Sequence, residues 1–409
     1  MKNKLLFLLI ISLTLFVTFT ACTRLQQDDE NDFRVTLLDG GKSAEITSYV
    51  GSKQAIVIPS RIQGVPVVRI GNEAFMDKEI TSVVIPKSIT SIGERAFAFN
   101  RIVNIDIPNS VTTLGEFAFW GNQITKSNKP SLLNQVYFAG GGDVALLCTN
   151  GDLQTLSDTL SEGYSVYVSG NDVYVAGNIG YSSRSRATLW KNGISQALSN
   201  TESYAYSVYV SGSDVYVAGV LKQGQNYCAT FWKNGATHIL HNTESSAKSI
   251  YVFGNDIYVA GNVGRDRNIR ATLWTNSVPK TLSDTESNAN SVYASNGNVF
   301  VAGLVGGDPS RATIWRNDFP QTLSNTYSEA NSVFVLGNDV YVAGIIYGQN
   351  WNATLWKNGF PRTLSSAYSR ADSVYVLGND VYVLGGDILW KNGTPQTLGY
   401  YGLRSVFVK

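Results

Sequence analysis

Charged residues are scarce in this chain, and their charges nearly cancel. Asp, Glu, Lys and Arg make up 15% of the 409 residues, and the formal net charge is +1. Without Met1–Ala21, which contains Lys2 and Lys4, 30 basic residues stand against 31 acidic ones. A partner that is bound through many phosphates requires a strongly basic surface. The composition therefore argues against nucleic acid as a partner.

Cysteine and histidine are scarcer still, with three and two copies. The cysteines show no spacing typical of a metal site. His238 and His241 lie together in one short segment, and we interpret them as incidental. We recognise neither a nucleophile beside a base nor the Ser-x-Asp-x-Gly-x-x-Trp motif of sialidases. The sequence thus predicts no metal, no cofactor and no catalytic residue.

A repeat of 41 or 42 residues is what the chain has in abundance. Each copy contains four short runs of β-branched and aromatic residues, separated by turn signals such as Asn192-Gly193. Both alternating sets of side chains are apolar, which is typical of a sheet buried on both faces. Four antiparallel strands per copy, repeated around a ring, are the signature of a β-propeller blade. The serine that opens each copy stands at Ser165, Ser207, Ser249, Ser291, Ser332 and Ser373.

Two incomplete copies flank the six complete ones. Gln135–Ser157 matches the second, third and fourth strands, and Ser405–Val408 at the end of the chain matches the first strand alone. If that last strand completes the first blade, no sheet edge stays open. The sequence therefore predicts a mainly β chain with a seven-bladed propeller over residues 135–409, closed by its C-terminal strand.

The first 21 residues have the features of a secretory signal peptide. Lys2 and Lys4 precede the apolar run Leu5–Val17, and a small residue precedes Cys22. This arrangement resembles the signal of bacterial lipoproteins, which implies that the Cys22 thiol carries a lipid. An uncleaved anchor and plain secretion are the alternatives. Residues 22–32 are rich in Gln, Asp and Glu, so we predict a lipidated, solvated tether.

Residues 33–125 carry a second, shorter repeat of 22 residues. Two of its units begin with apolar strands, Ile80–Ile85 and Ile102–Ile107, and we expect Ile80, Val83 and Ile85 to point inwards. This period with an inward apolar ladder is typical of a leucine-rich repeat solenoid. Residues 126–134 are polar and broken by proline, and they are predicted to be a linker. The repeated motif reads Ile70-Gly71…Ala74-Phe75, Ile92-Gly93…Ala96-Phe97 and Leu114-Gly115…Ala118-Phe119.

The segment from Ile58 to Phe75, with Ile58-Pro59, Gly64-Val65-Pro66-Val67 and Ile70-Gly71-Asn72-Glu73-Ala74-Phe75, resembles a known family. It is similar to the BspA-like (treponemal-type) leucine-rich repeats of bacterial surface proteins. The resemblance covers about a quarter of the chain. It implies a surface protein that binds partners, and some members adhere to host matrix proteins. The alternative is that this short solenoid serves as a cap or spacer.

Tryptophan occupies one fixed position of the propeller repeat. We expect these side chains to fill the space between blades rather than to stack on sugars, and we expect the same of Tyr174, Tyr216, Tyr258, Tyr341 and Tyr382. Cys148 replaces the tryptophan in the first copy and should pack as a small apolar residue. Cys228 lies too far around the ring from Cys148 for a disulfide. The six tryptophans are Trp190, Trp232, Trp274, Trp315, Trp356 and Trp390.

The variable stretch between the second and third strands of each copy is the candidate binding surface. These loops emerge on the same face as the connections between blades, and they carry arginine and aromatic residues, which are enriched at binding hot spots. The connections add Glu202, Glu244, Glu286 and Glu329. The alternative is that these charges only pair with one another. The candidate binding residues are Tyr181, Arg184, Arg186, Tyr227, Arg265, Arg267, Arg270, Arg311, Tyr347 and Trp351.

These features together predict an exported, lipid-anchored protein of the outer membrane or cell surface. It would act as a non-catalytic platform that binds an envelope or extracellular protein or a glycan, and it would contact the membrane through its lipid. One alternative is a periplasm-facing scaffold for envelope assembly. The other is a carbohydrate-active enzyme with a carboxylate pair at the rim.

Overall fold

The computed structural model describes residues 27–115, 117–124, 126–127, 135–150, 152–306, 309–365, 368–399 and 402–409. The predicted signal peptide and the lipidation site Cys22 lie outside these residues. The chain divides into two compact units, one of Met1–Phe119 with Ile124–Asn128 and one of Trp120–Gln123 with Lys129–Lys409. Apart from short 3-10 turns at Glu30–Asp32, Ser182–Arg184 and Asp266–Asn268, the regular structure described is β. No helix in this part of the chain combines the length and the hydropathy that crossing a bilayer requires.

The first unit is a short solenoid built from narrow parallel sheets. β1 and β2 form a hairpin, and β2, β5, β7 and β9 then pair in parallel, with β4 as a hairpin partner of β5. β3–β6 and β8–β10 are separate parallel pairs. The strands are β1 (Phe33–Leu38), β2 (Ser43–Tyr49), β3 (Ala55–Val57), β4 (Arg61–Ile62), β5 (Val65–Ile70), β6 (Ser82–Val84), β7 (Ser91–Ile92), β8 (Asn104–Ile105), β9 (Thr113–Leu114) and β10 (Lys126–Ser127).

Side-chain facing in this unit is as predicted, but its leading strands are shorter. Ile80, Val83 and Ile85 are buried, and the alternate residues of the same segment are exposed. β6 and β8 cover only the middle of the two predicted strands. One physical reason is that the Ile80 N–H donates to Asn100 Oδ1 at 3.0 Å instead of to a strand neighbour. The buried Asn100 amide in turn donates to the Phe75 carbonyl at 2.7 Å, which ties successive repeats together.

Two predicted boundaries differ in the structure. Asp28 is buried, its carboxylate accepts from the Val57 N–H at 2.8 Å, and it forms an ion pair with Lys53 at 2.6 Å. Asp28 and the 3-10 turn after it thus belong to the first unit rather than to a solvated tether. The predicted linker begins with β10, which pairs with β8, while residues 128–134 lie outside the described residues.

The second unit is a ring of seven four-stranded antiparallel sheets. In each blade the first strand lies innermost, and the following strands pair outwards in chain order. Blade 1 contains β11 (Val136–Gly140), β12 (Leu146–Thr149), β13 (Asp152–Thr155) and, innermost, β38 (Leu403–Val408). Blade 2 contains β14 (Ser161–Ser169), β15 (Asp172–Ile179), β16 (Arg186–Lys191) and β17 (Ile194–Ala197). Blade 3 contains β18 (Ser203–Ser211), β19 (Asp214–Gln223), β20 (Asn226–Lys233) and β21 (Ala236–Ile239).

The remaining four blades repeat the same order. Blade 4 contains β22 (Ser245–Phe253), β23 (Asp256–Val263), β24 (Arg270–Thr275) and β25 (Val278–Thr281). Blade 5 contains β26 (Ser287–Ser295), β27 (Asn298–Val305), β28 (Arg311–Arg316) and β29 (Phe319–Thr322). Blade 6 contains β30 (Ser328–Leu336), β31 (Asp339–Tyr347), β32 (Trp351–Lys357) and β33 (Phe360–Ser365). Blade 7 contains β34 (Ser373–Leu377), β35 (Asp380–Gly385), β36 (Ile388–Lys391) and β37 (Thr394–Thr397).

The predicted closure of the ring is confirmed. β38 pairs antiparallel with β11, with Val406 opposite Phe138. The opening serine of each copy adds a second link, because its hydroxyl accepts a backbone N–H from the next blade. Val208 N donates to Ser165 Oγ at 3.2 Å, and Val166 N donates to Ser405 Oγ at the same distance across the seam. Seven such bonds run around the whole ring.

The core lies between the blades, as the tryptophan position predicts. All six repeated tryptophans are at most 1% exposed, and they pack in clusters of buried side chains from adjacent blades. Four of the five repeated tyrosines are also buried, whereas Tyr258 is half-buried. Cys148 is buried and unbridged, as is Cys228. Phe138 stands opposite Cys148 where valine stands opposite tryptophan in the other blades, so the larger ring compensates for the smaller thiol.

The end of the ring that holds the first hairpin of each blade, which we call the hairpin end, repeats one set of polar contacts. Asn192 and Gly193 both have positive φ, as a type I′ turn requires. Asn192 donates to Asp172 at 2.8 Å, and Lys191 pairs with the same carboxylate at 2.7 Å. Equivalent Lys–Asp pairs recur at Lys233–Asp214, Lys357–Asp339 and Lys391–Asp380.

Candidate functional site

Six of the seven innermost strands contain a β-bulge at the residue before the opening serine, and in blade 7 the equivalent residue, Asp372, lies just before β34. In blade 2 the pairing of β14 with β15 shifts between Gly163 and Ser165, which leaves Tyr164 as the extra residue. The same shift occurs in blades 3 to 6, and β38 shows it at Arg404. A bulge turns its extra side chain out of the regular pleat. The bulges therefore turn one side chain in each of six blades in an equivalent direction, and Asp372 of blade 7 lines the same cavity without a bulge.

These equivalent side chains converge on one cavity of about 510 Å³ in the middle of the propeller. We call this cavity the channel mouth. Ser246 and Arg370 complete its lining. The residues at the seven equivalent positions are Tyr164, Tyr206, Lys248, Asn290, Asn331, Asp372 and Arg404.

One side of the channel mouth is aromatic. The rings of Tyr164 and Tyr206 meet edge to face with centroids 5.4 Å apart. The guanidinium of Arg404 lies over the Tyr164 ring at 4.6 Å and pairs with Glu162 at 3.5 Å. Tyr204, at the rim, stacks on Tyr206 at 6.3 Å. This wall offers flat apolar faces next to a cation.

The other side of the channel mouth is polar. Lys248 Nζ donates to Asn290 Oδ1 at 2.9 Å, and the Asn290 and Asn331 amides each donate to a backbone carbonyl of the next blade at 3.0 Å. Arg370 pairs with Asp372 at 2.5 Å. Burial raises the pKa of the Asp372 carboxyl, and the Arg370 charge opposes that shift. Burial lowers the pKa of the Lys248 amine to about 8.

The predicted binding residues lie at the same end of the propeller, but only four of the ten are in loops. Tyr181, Arg184, Arg265 and Arg267 follow the second strand of their blades, in loops or 3-10 turns. Tyr181 is 79% exposed. The other six stand at strand ends, because the second hairpin of each blade extends further than its variable sequence suggests. These six are Arg186, Tyr227, Arg270, Arg311, Tyr347 and Trp351.

Several charges of this rim pair with one another. Arg265 contacts Glu244 at 2.6 Å, and Lys222 contacts Glu202 at 2.7 Å. The Tyr227 hydroxyl also donates to Glu202. The bonds from Lys222 and Tyr227 lower the pKa of the Glu202 carboxyl. The pairing alternative thus holds for these two carboxylates, whereas Arg267 and Arg311 stay exposed.

The aromatic candidates form two clusters on the rim. Tyr227 packs on Tyr204 at 6.2 Å, which connects it to the channel mouth through Tyr206. Tyr347 stacks on Tyr327 at 4.3 Å and meets Trp351 edge to face at 5.7 Å. Trp351 is 51% exposed. Both clusters therefore present aromatic surface at the end of the propeller where the loops lie.

The structure gives the two histidines ordinary roles. His238 stacks on Phe231 at 4.6 Å in the outer strands of blade 3. His241 Nδ1 accepts from the Thr243 N–H at 3.3 Å, the turn contact that serine makes in other blades. Within the described residues, no group of three His, Cys, Asp or Glu side chains could hold a metal ion.

The first unit has a candidate surface of its own. A cavity of about 630 Å³ follows the edge where β2, β5, β7 and β9 end. Its lining includes Glu45, Arg69, Asn72, Thr90 and Thr112. Short polar side chains at equivalent repeat positions form a shallow surface suited to contacts with a protein.

The channel-mouth residues are the part of the site that sequence reasoning missed. Their signal was the residue just before each opening serine, which varies from Tyr to Lys, Asn, Asp and Arg between nearly constant neighbours. A position that varies in charge inside a repeated strand is unexpected for packing alone. The bulge that turns this position into the channel cannot be recognised from the repeat pattern.

Comparison with known proteins identifies the first unit. Residues 68–139 match the family model of the BspA type leucine rich repeat region, in six copies. The structure of a leucine rich repeat protein from T. pallidum is similar, with 20% identity, 25% of this chain and 71% of that chain covered, and a TM-score of 0.19. No curated protein matches the sequence.

Two further solved structures are similar over more than half of this chain. One is the Pyrococcus horikoshii acylaminoacyl peptidase, at 13% identity, with 63% of this chain and 48% of that chain covered and a TM-score of 0.42. The other is TolB from Acinetobacter baumannii, at 9% identity, with 56% of this chain and 62% of that chain covered and a TM-score of 0.39. Repeat folds present extended rigid surfaces and suit a protein-binding platform. The chain thus joins BspA-type leucine-rich repeats to a seven-bladed β-propeller.

Proposed function

We propose that this protein is a non-catalytic binding platform of the cell envelope. Its loop face, which we define as the channel mouth together with the ten rim residues predicted to bind, takes a protein or a glycan. The observation that carries the proposal is the change of chemistry among seven structurally equivalent positions in one cavity. Packing needs are the same in every blade, so they do not account for Tyr, Lys, Asn, Asp and Arg at one position.

The arrangement of the rim supports the same function. Tyr181 and Trp351 are large and mostly exposed, and Arg267 and Arg311 are exposed on the same rim. Aromatic and arginine side chains contribute most to hot spots in interfaces. They stand on short loops and strand ends of a rigid ring, which keeps the entropy cost of binding low.

A glycan and matrix-protein array probed with the purified chain tests this proposal. Replacing Arg265, Arg267 and Arg270 with alanine should weaken capture at least tenfold. The matched control replaces Lys191, Lys233 and Lys357, three cations of the hairpin end, and should leave capture unchanged. Equal capture by both triple variants and the unmodified chain would refute the proposal.

The proposal includes the location of the protein in the cell envelope. The signal features before Cys22 favour export and lipid attachment. If the protein faces the cell exterior, we propose that it acts in adhesion. Labelling with a radioactive fatty acid should mark the chain, and Cys22→Ser should abolish the label. Protease shaving of intact cells separates a surface-facing protein from a periplasm-facing assembly scaffold.

The absence of catalysis is testable as well. Glycan substrates incubated with the protein should show saturable binding and no product. Turnover that disappears on replacing rim carboxylates would instead establish a carbohydrate-active enzyme.

A further inference from the structure

Lys248 differs from the other two cations of the channel mouth. Arg370 has the Asp372 carboxylate at 2.5 Å, and Arg404 has Glu162 at 3.5 Å. The Lys248 ammonium donates to the neutral Asn290 amide, and among the described residues no carboxylate lies within ion-pair distance of it. The channel mouth therefore contains one cation without a counterion.

The Lys248 ammonium lowers the stability of the folded protein. Burial lowers the pKa of Lys248 to about 8, and the charge of the Glu329 carboxylate opposes this shift. Lys248 is half-buried, and an ammonium partly withdrawn from water without an opposite charge destabilises the folded protein, so an anion bound beside it would reduce that penalty. An asparagine stands at the same position in blades 5 and 6, so the frame itself does not require a lysine.

The number and type of free cations select among anions. A phosphate or sulfate is held best by arginine forks or by several cations. Both arginines here already contact carboxylates, which leaves a single ammonium. One ammonium matches one carboxylate.

The rest of the cavity indicates what carries that carboxylate. Tyr206 stands next to Lys248 around the ring and presents an aromatic wall with Tyr164. Asn290 and Asn331 follow on the other side and offer amide groups. A sugar ring has an apolar face for an aromatic ring and hydroxyl groups for amides. The volume of about 510 Å³ lies within the range of small-ligand pockets.

We propose that the channel mouth binds a carboxylate-bearing sugar, with its carboxylate at Lys248 Nζ and its ring against Tyr206. Asn290 and Asn331 contact its hydroxyl groups. The inference deepens the proposed function, because it rests on the loop face being a binding surface and adds the chemistry of the ligand. A free uronic acid and the uronic acid unit of a glycan chain both present these groups.

Calorimetric titration of the whole chain with glucuronate, and with glucose as the neutral analogue, tests the inference. Glucuronate should bind at least tenfold more tightly than glucose. Lys248→Asn should lower glucuronate affinity at least tenfold and leave the response to glucose unchanged. Lys280→Asn, on the outer strand β25, is the control and should bind glucuronate normally. An oligosaccharide ending in glucuronate distinguishes the sources, since tighter binding than the monosaccharide indicates a glycan and equal binding indicates the free acid.

Equal affinities for glucuronate and glucose, no binding of either, or normal binding by Lys248→Asn would overturn the inference. Lys248→Asn is compatible with folding because blades 5 and 6 carry asparagine there, and circular dichroism verifies it. The two proposals fail separately. If the arginine triple variant loses partner capture but glucuronate does not compete, the platform stands and the acidic sugar is wrong. If no loop-face variant changes capture, the platform itself is wrong.

Discussion

The two ends of the propeller use the same seven-fold frame in opposite ways. At the hairpin end one Lys–Asp contact recurs in blades 2, 3, 6 and 7, as in Lys191–Asp172 and Lys233–Asp214. At the channel mouth the equivalent position changes from Tyr206 to Lys248 to Asn290 within three blades. Both ends are built on the same strands, so the backbone does not explain the difference.

The difference separates what builds the ring from what the ring presents. A contact that recurs unchanged in several blades satisfies a need that those blades share, such as closing a turn. A position whose residue type changes around the ring, yet lines one cavity, creates an asymmetric surface on a symmetric frame. We therefore expect substitutions at repeated positions to change stability and substitutions at the channel mouth to change binding.

The largest effect on stability should come from opening the ring. Deleting 403–409 removes β38, its pairing with β11 and the seam bond to Ser405. β11 becomes an exposed edge strand, and blade 1 loses its innermost strand. We expect the free energy of unfolding of the propeller to fall by about 5 kcal/mol or more. In urea denaturation the unfolding midpoint should shift to a much lower concentration, or the cooperative transition should disappear. A normal unfolding midpoint would show that closure by the last strand is unimportant.

The second effect concerns the tryptophans between blades. Trp232 is fully buried, and its replacement by alanine leaves a cavity between blades 2 and 3. The free energy of unfolding should fall by about 3–5 kcal/mol. Tyr181→Ala is the matched control, because that ring is 79% exposed and should change stability by less than about 0.5 kcal/mol. Similar losses from both variants in chemical denaturation would contradict the packing role.

The repeat made most of this fold predictable. The period, the turn residues and the two incomplete copies predict the seven blades and the closure by Ser405–Val408, and the structure confirms them. The tryptophan position predicts the core correctly because burial between blades is the same in each copy. Strand ends were less predictable, and Tyr227 lies in a strand because β19 and β20 pair as far as Gln223 and Asn226.

The site was less predictable for a physical reason. The rim residues stand in stretches of variable sequence between nearly constant strands, so these arginine-rich stretches can be recognised from the repeat alignment. Tyr164 and Lys248 sit inside strands that otherwise read as packing elements, and only the bulge before Ser165 or Ser249 turns them into the channel. A bulge depends on the pairing of two strands, which the local sequence does not determine.

The third effect is a gain in stability at the channel mouth. Lys248→Asn removes an ammonium whose burial lowers its pKa to about 8, so unfolding at pH 7 should cost about 1–3 kcal/mol more. Lys280→Asn, whose lysine is solvent-exposed, is the control and should differ by less than about 0.5 kcal/mol. A variant of Lys248 that is less stable at pH 7 would show that this lysine contributes to packing.

The pH dependence of this gain has a definite sign. The folded pKa of Lys248 lies below that of the free side chain, so between about pH 8 and 10.5 the unfolded chain binds more protons than the folded one. The unmodified protein should therefore recover stability relative to Lys248→Asn as the pH rises through this window. Asp372, Arg370, Arg404, Tyr164 and Tyr206 line the same cavity, and Glu329 acts on Lys248 from outside it. These groups are present in both proteins, so their contributions cancel in the difference to first order. A difference that stays constant from pH 7 to 10 would contradict the assignment.

The smallest expected effect on stability compares two adjacent residues, Lys248 in the channel mouth and Ser249 in the frame of the ring. Ser249 follows Lys248, and its hydroxyl accepts the Val292 N–H of the next blade at 3.1 Å. Ser249→Ala leaves that N–H without its partner, and stability should fall by about 0.5–1.5 kcal/mol. Ser207→Ala, at the equivalent position of blade 3, should give a similar loss, because its hydroxyl accepts the Ile250 N–H in the same way.

Glucuronate binding should be unchanged in both serine variants, since these serines link blades and do not line the channel mouth. Urea unfolding and calorimetry on the same samples measure both quantities, and lost affinity in either serine variant would remove the distinction between frame and site at this strand.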